Sequence, residues 1–288
     1  MPLPQLIKYI GNKTKVSENI SFFLPKNFDT YIEPFFGSGA LLGELQPKKS
    51  IAVDIHQPLI DMWKLAQKNP NKLSEFYEEK WMKYSVDDKS KKSIYSDVVK
   101  SYNDKPNPLD FLFISRTCYG GVLRYRKKDG GLSTPVGPHL AIPPNSFNKR
   151  LKIWESVIKN TRFICGDYKI ITDLVNSKSL IYCDPPYIDT QKILYGAQEF
   201  NFAELQEEIS KWKMKKSQIA LSIDGSKFSG SKEIETSINK KTLPYSYNIN
   251  LGGSMLKRFQ LKDKNTKKHI VSDKLYLSFK PDNKNPHN

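Results

Sequence analysis

The chain has 288 residues, long enough to bury a sizeable core, and carries 46 Lys and Arg against 30 Asp and Glu, a formal net charge of +16. That excess suits a polyanionic partner; a compositional bias toward Lys is the competing reading, since only six of the 46 cations are Arg. Three cysteines (Cys118, Cys165, Cys183) and four histidines (His56, His139, His269, His287) are scattered, which excludes a disulfide framework or a metal site built on their spacing. Metal-free chemistry is expected. The N-terminus shows no basic segment followed by an apolar core, and no apolar run approaches the roughly 20 residues needed to span a bilayer, so a soluble, cytoplasmic protein is expected.

A helical pattern near residues 14–24 comes first. Thr30-Tyr31-Ile32 and Ser50-Ile51-Ala52-Val53 are short apolar runs bounded by turn residues, the pattern of buried parallel strands. Helical patterns follow each, at 40–45 and 58–67, with Pro58 suited to a first turn. The alternation breaks near residue 70. From there to about 155 the sequence holds helical stretches and a Gly/Pro-marked segment but no third strand of the same kind, which reads as an insertion. Within it Asp129-Gly130 is a hairpin signal. The sheet pattern resumes at 162–165 and 180–183, followed by a helix over 202–213, a strand at 219–223 and further strands near 243–249 and 274–279. The polar tail at 282–288 reads as frayed. The expectation is an α/β protein in which residues 1–65 and 156–288 form one domain and 66–155 an inserted one.

Three of these strands end in an acid, Glu33, Asp54 and Asp184, and the carboxyl ends of strands are where open α/β sheets bind ligands. Asp184 opens the tetrapeptide Asp184-Pro185-Pro186-Tyr187. Two prolines cannot continue a ladder, so the chain leaves its strand stiffly with a carboxylate, unpaired carbonyls and an aromatic ring close together. That set suits a planar amino group: carboxylate and proline carbonyl accept from the NH₂ while the ring covers the base. Glu33-Pro34-Phe35-Phe36-Gly37-Ser38-Gly39 is a strand-to-helix turn that lets backbone approach a ligand. A dinucleotide fingerprint would want glycine at position 42, which is Leu42, so a nicotinamide enzyme is disfavoured. What remains is a nucleoside pocket, with Asp54 placed to accept both hydroxyls of a ribose or, equally, to sit at a helix N-terminus.

Lys8-Tyr9-Ile10-Gly11-Asn12-Lys13, the Glu33 to Gly39 turn, Asp54, the segment from Arg116 to Arg124 and Asp184 to Tyr187 occur in the order seen in the alpha-type, Dam-like DNA adenine-N6 methyltransferases, which the chain resembles over residues 8 to about 225. The resemblance implies a Rossmann-like, S-adenosylmethionine-dependent sheet, mostly parallel with an antiparallel seventh strand, and an inserted, mainly helical target-recognition domain with a hairpin. It implies that Tyr9 and Lys13 help hold S-adenosylmethionine, that Phe35, Gly37 and Gly39 line its pocket beside Glu33, that Asp54 takes its ribose, and that Asp184 borders it. Asp167 resembles the family acid near the cofactor adenine, with a helix-capping role as the alternative. Asp184, Pro185, Pro186 and Tyr187 would form the catalytic loop. Asn12 departs from the family's usual glycine, and Gly120 stands where Dam has asparagine, which leaves the target sequence open.

The implied partner is double-stranded DNA, with the enzyme acting alone or beside a cognate restriction endonuclease. Tyr119 and Arg124 would enter the DNA, and Arg116, Arg126, Lys127, Lys128 and Pro135 complete the expected DNA-facing set, arginine being able to bond a guanine edge. The lysines at 211, 213, 215 and 216 read as a wet helix end, and the basic run at 257–268 as a second patch. A methyltransferase acting on an RNA base and a catalytically silent DNA-binding specificity protein are the alternatives.

Overall fold

The computed structural model describes residues 2–186, 200–224, 238–250 and 272–281. Tyr187, the basic run at 257–268 and the tail at 282–288 lie outside them. Seven strands, β1 Thr30–Glu33, β2 Ser50–Asp54, β3 Thr161–Cys165, β4 Ser179–Cys183, β5 Gln218–Asp224, β6 Tyr245–Asn250 and β7 Ser272–Leu277, form one sheet of order β3-β2-β1-β4-β5-β7-β6. The first five run parallel, and β7 lies antiparallel to both β5 and β6. The mostly parallel sheet with an antiparallel seventh strand is the one expected.

The sheet is buried on both faces, and its period of two sorts side chains between two cores. Tyr31, Ala52, Leu180, Tyr182 and Ala220 face one core, while Ile32, Ile51, Val53, Ile181, Cys183, Ile219 and Leu221 face the other. Among the described residues the α-helices are α1 Ser17–Phe22, α2 Ala40–Leu45, α3 Gln57–Lys68, α4 Pro70–Tyr84, α5 Asp88–Asp104, α6 Pro108–Thr117, α7 Pro144–Ile158 and α8 Phe202–Met214. The second core is closed by α8 through Leu205, Ile209 and Trp212. The first continues without interruption from the sheet into α4 to α7, through Trp63 against Trp154 at 5.0 Å and the stack of Tyr77 on Phe147 at 4.3 Å.

The expected domain boundaries at 65/66 and 155/156 therefore fall inside α3 and α7. The reason is physical: Trp63 and Trp154 each belong to the sheet's core, so neither helix can be cut there without opening it. Asn69, Asp87 and Asn107 cap α4, α5 and α6 by accepting from backbone N–H groups of the first turn, and Pro70 and Pro108 follow two of them at the position where a missing N–H costs nothing. The expected hairpin is minimal. A single bridge joins Tyr125 to Leu132, Arg126 N–H donates to the Gly131 carbonyl at 2.8 Å, and Gly130 turns the chain with φ of +68°. No helix among the described residues is long and apolar enough to cross a membrane.

Candidate active site

β1 is the point where the chain order reverses: β2 lies on one side of it and β4 on the other. A crevice opens there at the carboxyl edge, as it does wherever neighbouring strands send their connections to opposite faces. The cleft is lined by Tyr9, Lys13, Glu33, Phe35, Gly37, Asp54, Asp167, Asp184, Pro185 and Pro186, with Ile55, Tyr168, Phe200 and others. All but one of the residues read as cofactor-binding are thus brought together with the described part of the Asp-Pro-Pro-Tyr loop.

The exception is Gly39. It does not line the cleft; it starts α2 in the left-handed region at φ +68°, and a Cβ there would lie 2.7 Å from Cζ of Phe36. It is needed for the turn itself. That turn is held from three sides. Phe36 N–H donates to the Val53 carbonyl at 2.9 Å, Trp63 Nε1 to the Gly37 carbonyl at 3.2 Å, and Gly37 N–H to Asp54 Oδ2 at 2.9 Å. Asp54 Oδ1 accepts from His56 N–H at 3.0 Å. Burial raises the Asp54 carboxyl pKa, and the donors at His56 and Gly37 work against that rise. Asp54 thus fastens β1's turn to β2's while lining the cleft. Asp167 also serves twice: it lines the cleft and caps the 3₁₀ turn Tyr168–Asp173 by accepting from Lys169 N–H at 2.9 Å.

Glu33 is 3% exposed, and its Oε2 is buried with no hydrogen-bond partner among the described residues. Burial pushes its pKa well above the usual carboxylate range; the Tyr31 phenol offsets this in part, and the charge of Asp184 adds to it. A buried acceptor of this kind in the lining of a cleft has no donor among the described residues. Across the cleft Phe35 packs against Tyr168 at 5.2 Å and edge-on to Phe200 at 5.7 Å, an aromatic wall suited to a planar ring.

Lys13 lines the cleft as the cation between two carboxylates. Only 7% exposed, its Nζ lies 3.1 Å from Asp184 Oδ1 and 3.0 Å from Asp273 Oδ2. It borders the cleft, but its charge is committed to two carboxylates, one on the Asp-Pro-Pro-Tyr loop and one near the start of β7. Asp273, 1% exposed, carries no motif around it, and its β7 neighbours gave no signal beyond a strand. Tyr168 and Phe200 were likewise missed; Tyr168 stands beside Asp167, but nothing in sequence spacing shows that two aromatics over 30 positions apart meet on Phe35.

Of the residues expected to face DNA, Arg124, Arg126, Lys127, Lys128 and Pro135 are exposed, and Tyr119 is 41% exposed with its N–H bound to the Pro135 carbonyl at 2.8 Å. Arg126 is paired with Asp129 at 2.8 Å. Arg116 corrects the expectation: it is 2% exposed, in the last turn of α6, and its guanidinium donates to the Gln5 carbonyl at 3.2 Å. Arg150 donates to the same carbonyl at 2.9 Å. Arg116 anchors the segment leading to Tyr9 and Lys13 and has no surface to offer. At the end of α8, Lys213 and Lys215 donate to the carbonyls of Ser278 and Thr172, which lie outside that helix and tie its end to the segments beside it. No cluster of His, Cys, Asp and Glu suited to a metal ion occurs among the described residues.

The sequence matches those of known proteins. Residues 9–270 match the D12 class N6 adenine-specific DNA methyltransferases. The type II methyltransferase M.MjaIII of Methanocaldococcus jannaschii is 32% identical over 205 residues, 65% of this chain and 70% of that one. A DNA adenine methylase of Vibrio cholerae is 29% identical over 185 residues, which cover 63% of this chain and 64%, just under two thirds, of the relative. The DNA adenine methylase of Haemophilus influenzae is 25% identical over 228 residues, covering 75% and 77%. With 262 of its 288 positions inside the family match and the strand-end acids of that match converging on one cleft, the chain belongs to the D12 class N6 adenine-specific DNA methyltransferase family.

Proposed function

We propose that this protein transfers a methyl group from S-adenosylmethionine to N6 of an adenine turned out of duplex DNA. The observation that carries this reading is the convergence of Glu33, Asp54 and Asp184 on one cleft at the reversal point of the sheet. The donor set fits the cofactor. The unpartnered Glu33 Oε2 suits its ammonium group, Asp54 its ribose hydroxyls, and the wall of Phe35, Tyr168 and Phe200 its adenine. When bound, S-adenosylmethionine supplies an electrophilic sulfonium methyl.

The remaining chemistry falls to the chain. The N6 lone pair is delocalised into the purine ring, which makes the amine a poor nucleophile. Asp184 is an acceptor-only group when ionised, and with the Pro185 carbonyl it takes hydrogen bonds from N6 that favour a tetrahedral nitrogen and free the lone pair to attack in line. No covalent enzyme intermediate is needed. Because N6 is paired within the duplex, the base must leave the stack, at a cost of about a few kcal/mol, and Tyr187 is assigned the role of stacking on it. Target reading is assigned to residues 66–155, with Tyr119, Arg124, Lys127 and Lys128 facing the DNA and Pro135 holding Tyr119.

Plasmid DNA incubated with the purified protein and labelled cofactor, then mapped for methylated adenines, tests activity, base and sequence together. Asp184→Ala is expected to lower single-turnover transfer by about 10²-fold or more while cofactor affinity stays within a few-fold. Near-normal transfer by this variant would remove the assignment, and label found on another base or only on RNA would redirect it.

A further inference from the structure

His56 joins the cleft to the basic hairpin. Its backbone N–H donates to Asp54 Oδ1 at 3.0 Å, so the residue belongs to the turn that holds the proposed ribose acid. Its ring points away from the cleft into a polar knot. Nε2 lies 3.2 Å from the Tyr102 hydroxyl and 3.1 Å from the Tyr125 hydroxyl, the two hydroxyls are 3.3 Å apart, and Phe111 packs edge-on at 5.2 Å. Tyr102 belongs to α5. Tyr125 stands between Arg124 and Arg126 at the root of the hairpin and bridges Leu132. The next residue of α5 grips the same root: Asn103 Oδ1 accepts from Leu132 N–H at 2.7 Å, and Asn103 Nδ2 donates to the Leu132 carbonyl at 3.1 Å.

The knot is not fully satisfied. A ring nitrogen of neutral imidazole either donates or accepts, so Nε2 cannot serve two hydroxyls in both senses. His56 Nδ1 is sealed from solvent and has no hydrogen-bond partner among the described residues. A buried polar atom left without a partner is costly and calls for a reason in the fold around it. Here the surroundings are a hairpin that meets DNA on one side and a cofactor carboxylate on the other.

We propose that His56 is a positioning residue that couples the cofactor pocket to the hairpin, so that filling the Asp54 site sets the hairpin for DNA and DNA on the hairpin tightens the cofactor in return. The reciprocity is required of any such coupling in binding. This inference rests on the methyltransferase reading above. Tyr125 is the contact through which the hairpin acts, and Tyr102 with Asn103 provides the fixed support on α5.

The test measures the affinity of a fluorescent duplex bearing the sequence mapped on the plasmid, with and without a non-reactive S-adenosylmethionine analogue. In the wild-type protein the analogue is expected to tighten DNA binding by about five-fold or more. In His56→Phe, which keeps the aromatic contact with Phe111, and in Tyr125→Phe, which deletes one hydroxyl, the ratio is expected to fall below about two-fold, each ligand alone still binding. If His56→Phe does not fold, Tyr125→Phe carries the test. A merely structural role would lower thermal stability or both affinities and leave the ratio intact; a wild-type ratio kept in either folded variant, or no ratio in the wild-type protein, overturns the coupling. A wild-type protein that binds neither ligand overturns the methyltransferase reading, and the coupling with it.

Discussion

Glu33 occupies a place where a carboxylate is expensive, buried with one oxygen unpartnered and with Asp184 raising its pKa further. Such a group trades stability for affinity. A folded-state pKa above the unfolded one means that the group favours the fold most below its unfolded value and loses that contribution as pH rises through the folded one. Glu33→Gln is therefore expected to raise the melting temperature of the free protein above pH 7 and to weaken cofactor binding by about ten-fold or more, as loss of a charged hydrogen bond does; unchanged affinity by calorimetry would free Glu33 from the cofactor. His56 runs the other way. Burial lowers its pKa from the usual 6.5 to about 4, so its contribution is complete above pH 6.5 and is lost as pH falls toward 4, a swing of about 2–3 kcal/mol. Urea unfolding between pH 4 and 7 should show a shallower slope in His56→Phe than in the wild-type protein. Glu33, Asp54 and Asp184 were legible in the sequence because each closes an apolar strand run. Asp273 and the His56 knot were not, since their partners lie 260 and up to 69 positions away and no local pattern marks them.

The elements nearest the site were the easiest to read. β1, β2 and β4 are buried on both faces and show as unbroken apolar runs, and α2 falls at the expected 40–45. The turn between β1 and α2 depends on a backbone that only glycine adopts at little cost. Gly39→Ala must hold a left-handed residue and place a Cβ 2.7 Å from Phe36 Cζ, an expected loss of about 2 kcal/mol or more in urea denaturation. The stretch from 66 to 155 was less legible. Its helices α4 to α6 carry clear caps at Asn69, Asp87 and Asn107, but their apolar residues join one core with α3, α7 and one face of the sheet, so no composition shift marks an edge. Asn107→Ala, which removes the acceptor for Leu109 and Asp110 N–H, should cost about 1 kcal/mol and can be read from the same denaturation curves. The Asp129-Gly130 signal correctly gave a reversal of the chain. It could not show that isolated bridges, Tyr125 to Leu132 and further down Cys118 to Val136, are what support it.

At the scale of the whole molecule, the +16 charge is shared among a surface whose DNA-facing part is proposed to include the exposed Arg124, Lys127 and Lys128. If these meet phosphates, log affinity should fall linearly with log salt, and Lys127→Ala with Lys128→Ala should reduce the slope by about 1.8. An unaltered slope in that double variant would return those lysines to compositional bias. The sheet order has a further consequence, which concerns the making of the protein. Parallel strands deliver their carboxyl ends to the cleft, so only a strand running the opposite way can deliver its beginning. β7 does so, and Asp273 meets Lys13 across 260 positions. Contacts this distant in sequence form late and slowly, and a ribosome-bound chain that has not reached residue 273 cannot make this one. The pair therefore marks the docking of β7: Lys13 can hold the Asp-Pro-Pro-Tyr loop through Asp184 without it, but gains its second carboxylate only when that strand is in place.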